Sequence, residues 1–211
     1  DDSLVSTFLP KRPADAHKGT FGTAFIAAGS LNYTGAALLA GKAAARIGVG
    51  LVTMAIPAPL HTALAGHFPE ATWILLPHEM GVVSSAAADV LAKNMERASV
   101  LLFGPGLGME ETTREFIEKL LVGRQASKST NRRIGFIQDE KKQGVAKEEK
   151  SLPPVVVDAD GLKHLVKIKG WQSLLPAPAV LTPHPGEMAL LTGLSLDDIQ
   201  ADRLMIVRKF A

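Results

Sequence analysis

The stretch Ser99–Gly108, SVLLFGPGLG, limits what this chain can fold into more than any other. Strand-favouring residues from Val100 to Phe103 run into a turn with glycine at 104, 106 and 108. Beyond it, Phe116, Ile117, Leu120 and Leu121 fall at helical spacing. A buried strand passing through glycines into a helix leaves backbone N–H groups without partners at the helix start. Those donors and the helix dipole attract anions, phosphate above all. No Gly-Lys-Ser/Thr follows, so the turn is not a Walker loop, and its spacing is GxGxG rather than GxGxxG. Taken alone, it reads equally as a ligand-facing turn or as a tight connection.

The rest of the chain alternates in the same way. Thr23–Ala28, Leu51–Ile56, Thr72–Leu76, Pro154–Val157 and Ala179–Thr182 read as strands, with Pro57 stopping the second. Ala36–Ile47, Pro59–Gly66, Ser85–Arg97, Leu162–Ile168, a helix beginning at Met188–Leu191, and Leu196–Phe210 read as helices. The small residues of Ala36–Ile47 let that helix lie close to a sheet, and Gly48 and Gly50 end it. Ser84 or Ser85 is the expected cap of its helix. Residues 1–20 read as a polar, proline-broken arm, and 124–151 as a lysine-rich surface insertion with one apolar knot, Ile134–Ile137. Short strands alternating with helices predict a single domain over 1–211, a three-layer α/β/α sandwich around a mainly parallel sheet.

Composition narrows the function. A chain of 211 residues, 46% hydrophobic and 21% charged, is expected to form one soluble globular domain. Its net charge is +2 and its basic residues are scattered outside 124–150, so no nucleic-acid face is expected. The absence of cysteine excludes disulfides, thiol catalysis and cysteine metal sites, and is compatible with a cytoplasmic location. No apolar run approaches the ~18–20 residues of a membrane span, and the N-terminus lacks a signal-peptide layout.

In a parallel sheet, ligands gather at the carboxyl ends of the strands. Gly29–Ala36, Gly104–Gly108, Asp158–Gly161 and Pro183–Glu187 all fall there. If the strand before them persists, Asp158 and Asp160 share a face and suit a divalent cation. The bland reading has Asp160 capping the next helix and Asp158 satisfying loop amides. His184 and Glu187 form a proline-flanked H-x-x-E unit, in which the glutamate can orient a metal-bound water and the histidine can donate to a ligand oxygen. Tyr33 and the helix start at Ala36 can face a planar ligand, or Thr34 can simply cap that helix. His17 and Lys18 offer a donor and a positive charge, or are solvated.

HKGTFG, AGSLNYTGAALLA, GVGLVTMAIP, FGPGLG, VVVDADGL and LTPHPGEMALL occur in this order. Together they resemble the NAD(P)H-hydrate dehydratases of the ribokinase-like superfamily, from about Leu9 to about Gly193, except over 124–151. The resemblance implies a carbon–oxygen lyase that repairs hydrated NADH or NADPH, using ADP in the bacterial branch and ATP in the eukaryotic one. The ring hydroxyl is phosphorylated and phosphate then leaves, phosphate being a far better leaving group than hydroxide.

By the same resemblance Ala36, Gly106, Gly108 and His184 border the hydrated dinucleotide, and Tyr33 and Asp158 line the cleft. Lys18 and Glu187 would serve the nucleotide, with Glu187 organising Mg2+. Family members are homo-oligomers, often tetramers. The family's Gly-Thr-Gly-Asp turn, which supplies the anion hole and the catalytic aspartate, occurs nowhere in these 211 residues. No catalytic residue is therefore assigned, and the chain by itself is expected to be weak or inactive. Missing terminal βα units would also uncover an apolar sheet edge prone to association. The competing readings are a vitamin-precursor or sugar kinase of the same superfamily, and a non-catalytic nucleotide-binding module.

Overall fold

The computed structural model describes residues 2–9, 11–123 and 152–211; the expected 124–151 insertion lies outside them. In chain order, the strands are β1 (Thr23–Ala27), β2 (Leu51–Pro57), β3 (Thr72–Leu76), β4 (His78–Glu79), β5 (Val82–Val83), β6 (Val100–Phe103), β7 (Val155–Val157) and β8 (Ala179–Leu181). The helices are α1 (Asp2–Phe8), α2 (Thr34–Ile47), α3 (Leu60–Leu64), α4 (Ala87–Asn94), α5 (Glu111–Val122), α6 (Asp160–Leu165), α7 (Trp171–Leu174), α8 (Pro185–Thr192), α9 (Leu196–Ala201) and α10 (Arg203–Phe210). Six strands form one parallel sheet in the order β3-β2-β1-β6-β7-β8, the α/β arrangement expected from the sequence.

Alternation along each strand assigns the two faces. Phe25, Ala27, Leu101, Phe103, Val155 and Val157 pack with Leu91 of α4, Phe116, Ile117 and Leu120 of α5, Leu162 of α6 and Met188 of α8. On the other face Ile26, Val52, Met54 and Ile56 pack with Ala37 of α2 and with Leu60 and Leu64 of α3. The small residues of α2 have the role read from the sequence. A Cβ at Gly41 would lie 2.6 Å from Met54 Sδ and 2.8 Å from Phe68 Cε1, so only glycine permits this close helix–sheet approach. Gly48, at φ 100°, closes the helix in the left-handed conformation.

Cover on this second face fades across the sheet. Along the register row Ile26–Leu102–Val156–Val180, exposure rises from 1% at Ile26 to 53% at Val180. Among the described residues, β8 is also an edge strand, with Ala179 and Val180 exposed.

Several local expectations need correction. α1 lies within the expected polar arm, and its residues 3–8 are exposed, so no buried stripe marks it in the sequence. Neither Ser84 nor Ser85 caps α4 with its side chain; the cap position is Ala86, and the Ser84 carbonyl accepts from Ala87 N–H. The helix expected over 196–210 is two, broken at Asp202 (φ −150°, ψ 79°), whose carboxylate accepts from Met205 N–H. The β4–β5 hairpin turns at Met80 (φ 49°) and Gly81 (φ 85°), with strands too short to leave a pattern.

The burial gradient yields a stability prediction. Leu101, 0% exposed in mid-sheet, should cost about 2–5 kcal/mol as Leu101→Ala, because a cavity is left behind. Val180→Ala on the uncovered edge should cost under about 1 kcal/mol. Urea unfolding midpoints of the two variants measure the difference.

Candidate functional site

Strand order reverses direction at β1. The chain runs outward through β2 and β3, then returns to the other side of β1 as β6. The loops after β1 and β6 lead to helices on opposite faces and open a crevice at the carboxyl edge between them. Backbone bonds tie this rim together. Gly29 N–H donates to Pro105 O at 2.8 Å, and Gly104 N–H to Ala27 O at 3.3 Å. Asp158 N–H donates to Phe103 O, and Thr182 N–H to Val157 O, both at 3.2 Å. The four loops expected to share an edge therefore do share one.

The glycine turn is where these loops come closest. A Cβ on Gly106 (φ 65°) would lie 2.8 Å from both Tyr33 Cβ and Ala36 Cβ, and one on Gly104 would overlap Asp158 O. Tyr33 occupies the cap position of α2 without any side-chain cap bond, so Thr34 does not cap the helix. The first turn of α2 thus lies beside Gly106, with Ala36 N–H donating to Tyr33 O at 3.3 Å. Tyr33 is 57% exposed, its ring on the surface of the crevice.

α6 clamps the far end of the turn. Asp160 Oδ2 accepts from Gly108 N–H at 3.1 Å, while His164 Nε2 donates to Gly108 O at 2.9 Å. Asp160 Oδ1 accepts from Lys163 Nζ at 3.0 Å, which holds the lysine pKa above its ordinary value. The strand does not persist to Asp160. Ala159 turns at φ 51°, a conformation costly for a residue with a Cβ, and Asp160 opens α6 without capping it. The shared face expected for Asp158 and Asp160 is therefore lost. Asp158 instead accepts from Thr182 Oγ1 at 2.9 Å.

His184 and Glu187 build a capping box. His184 Nδ1 accepts from Gly186 N–H and Glu187 N–H at 3.0 and 3.3 Å, and Glu187 Oε2 accepts from His184 N–H at 3.0 Å. Glu187 is 4% exposed, with Oε1 3.2 Å from His184 Nε2. Both residues thus start α8, which the H-x-x-E spacing could have signalled had histidine been considered as a cap. Among the described residues, no group of three or more His, Asp or Glu side chains is placed to hold a metal ion.

Gly106, Ala36, Tyr33 and Asp158 thus lie together at the crevice, whereas Gly108 is buried beneath α6 with its N–H and C=O held by Asp160 and His164. His184 lies on the same rim, about 10 Å along the sheet by the spacing of β6, β7 and β8. Lys18 does not join them: it is exposed in the turn before β1, at the amino edge, with the length of β1 (roughly 15–17 Å) in between. The sequence reading missed Lys163 and His164. Their signals were Lys163 three residues after Asp160, and a lone histidine between apolar Leu162 and Leu165.

His164 is 1% exposed and its Nδ1 has no partner among the described residues. Burial, with Lys167 and Arg114 nearby, lowers its pKa from the ordinary 6.5. The unfolded chain therefore takes up the proton first. The neutral imidazole's contribution is complete above pH 6.5 and is lost as pH falls through the folded-state value. Between pH 7.5 and 5 the wild-type unfolding midpoint should fall more steeply than that of His164→Leu. Equal slopes would contradict this assignment.

Comparison with known proteins converges on one family. A family model described as NAD(P)H-hydrate dehydratase matches residues 24–126 and 134–211. A bifunctional NAD(P)H-hydrate repair enzyme from Moorella thermoacetica is 36% identical over 96% of this chain, which spans 33% of that relative. The chain thus covers about a third of the length of such relatives. An ADP/ATP-dependent NAD(P)H-hydrate dehydratase from Bacillus subtilis, co-crystallised with ATP/Mg2+, superposes with TM-score 0.69 at 27% identity, over 100% of this chain and 61% of that one. A ribokinase-like superfamily protein from Enterococcus faecalis shares the fold with TM-score 0.72 at 20% identity, over 100% of this chain and 61% of that one. No described helix is long and apolar enough to cross a membrane. With most of its length matched by that family model, this chain belongs to the NAD(P)H-hydrate dehydratase family.

Proposed function

We propose that this chain carries the dinucleotide-facing part of an adenine-nucleotide-dependent NAD(P)H-hydrate dehydratase, a metabolite-repair lyase. The observation that carries the reading is the notch at the reversal of strand order, where side-chain-free Gly106 meets Tyr33 and Ala36. Tyr33 is exposed at this point, and the start of α2, with no side-chain cap, favours an anionic neighbour. Gly106 lets the turn pack directly against Tyr33 and Ala36, Tyr33 offers a ring face, and Asp158, tied to Thr182, borders the same crevice. His184 presents its exposed ring edge farther along the rim.

In the proposed reaction the nucleotide donates a phosphoryl group to the 6-hydroxyl of the hydrated ring. Phosphate then leaves as the ring regains its conjugation. A magnesium ion would supply counter-charge to the phosphoryl group, with Glu187 the residue to hold it. In this structure Glu187 is buried with Oε2 accepting from His184 N–H and Oε1 3.2 Å from His184 Nε2, and no group of three or more such side chains gathers among the described residues, so the residues present do not by themselves form a cation site. Because Gly-Thr-Gly-Asp is absent from the 211 residues, the polypeptide as it stands is proposed to bind without appreciable turnover. The same reading expects a cytoplasmic homotetramer, a state that sedimentation analysis measures.

Calorimetric titration of the 211-residue chain with NADPH and its hydrate tests the reading. Gly106→Val, which forces side-chain atoms into Tyr33 and Ala36, should weaken binding at least tenfold, or about 1.4 kcal/mol. Gly66→Ala, where a Cβ meets nothing within 4 Å, should leave it unchanged. Absence of dinucleotide binding, or wild-type affinity in a folded Gly106→Val variant, would contradict the reading.

A further inference from the structure

We propose that Lys163 is an anion-binding residue of this crevice, its ammonium presented to a diphosphate oxygen of the bound ligand. The proposal deepens the reading above and rests on it for the ligand's identity. Lys163 stands one turn into α6, and its Nζ lies 3.0 Å from Asp160 Oδ1. The other oxygen of that carboxylate holds Gly108 N–H, so a single buried side chain fixes both the glycine turn and the ammonium. α6 packs against α5 and α8, the helices that begin after the glycine turn and at the His184–Glu187 box.

The ammonium thereby sits where three rim elements converge. Glu187 and Tyr33, from α8 and the start of α2, are both near enough to favour its charged form. Asp160 occupies one of its three N–H donors, and the side chain is 35% exposed, so the others remain within reach of a ligand. Charge balance points the same way. Asp158, Asp160 and Glu187 make this part of the rim acidic, which repels a diphosphate unless a fixed cation offsets it. A lysine serving only to neutralise Asp160 would affect folding and nothing else, and that difference is measurable.

Lys163→Met keeps the alkyl stem and removes the charge; Lys163→Arg keeps the charge. The 211-residue chain and both variants are titrated with inorganic pyrophosphate, ADP, NADPH and uncharged adenosine, with exposed Lys93→Met as control. Lys163→Met should weaken pyrophosphate and at least one of ADP and NADPH tenfold or more, and leave adenosine within twofold. Lys163→Arg should stay within about threefold of wild type, Lys93→Met within twofold. Whichever of ADP and NADPH loses affinity identifies the diphosphate that Lys163 meets. Should pyrophosphate and ADP bind through Lys163 while NADPH does not bind at all, this proposal stands and the dinucleotide reading fails. If NADPH binds wild type and Lys163→Met alike, with pyrophosphate and ADP also unaffected, the dinucleotide reading stands and this proposal is overturned. An equal loss for adenosine, or no diphosphate binding by the wild type, also overturns it.

Discussion

The crevice depends on close backbone approach after β6. At Gly104 the chain passes against the carbonyl of Asp158, and at Gly106 against the Cβ atoms of Tyr33 and Ala36. Methyl groups at these positions would push apart the loops that follow β1, β6 and β7. Because the strands are parallel, each of those loops leaves the same edge, and because order reverses at β1, two of them diverge to opposite faces. Sheet topology supplies the opening, and the glycines keep it narrow. Hydrogen bonds from Gly29, Gly104 and Asp158 N–H groups to the backbone of neighbouring loops and strands then fix the spacing.

Around that backbone frame, side chains mostly serve position. Asp160 and His164 hold the two sides of the Gly108 peptide, and Asp158 engages Thr182. His184 and Glu187 satisfy the first N–H groups of α8 and of its cap. Such residues would look catalytic in a motif, yet here their visible work is to make the rim rigid.

Much of the fold was legible in the sequence because its physics is local. Buried parallel strands leave apolar runs such as Val100–Phe103, and the Phe116, Ile117, Leu120 and Leu121 stripe announces the packed face of α5. What escaped were elements without a burial signal, such as exposed α1 and the two-residue strands β4 and β5. The site was legible to the level of its loops. Gly106 beside Tyr33 and Ala36 follows from strand order, whereas the turn at Ala159 that parts Asp158 from Asp160 depends on φ/ψ values no pattern displays. Lys18 reads as near the site because it precedes β1, but preceding a strand places it at the amino edge. Lys163 and His164 escaped because their partners are Asp160 and Gly108, a helical neighbour and a tertiary contact outside any recognised motif.

The central claim is that one rim, at the carboxyl ends of the parallel strands, receives the dinucleotide. Amide-resolved NMR titration of the isotopically labelled chain with NADPH tests it most directly. The account predicts saturable shifts at Gly29, Gly106, Gly108 and Asp158, with the Lys18–Gly22 turn at the amino edge unmoved. Shifts confined to that amino edge, or scattered without reference to the rim, would contradict it.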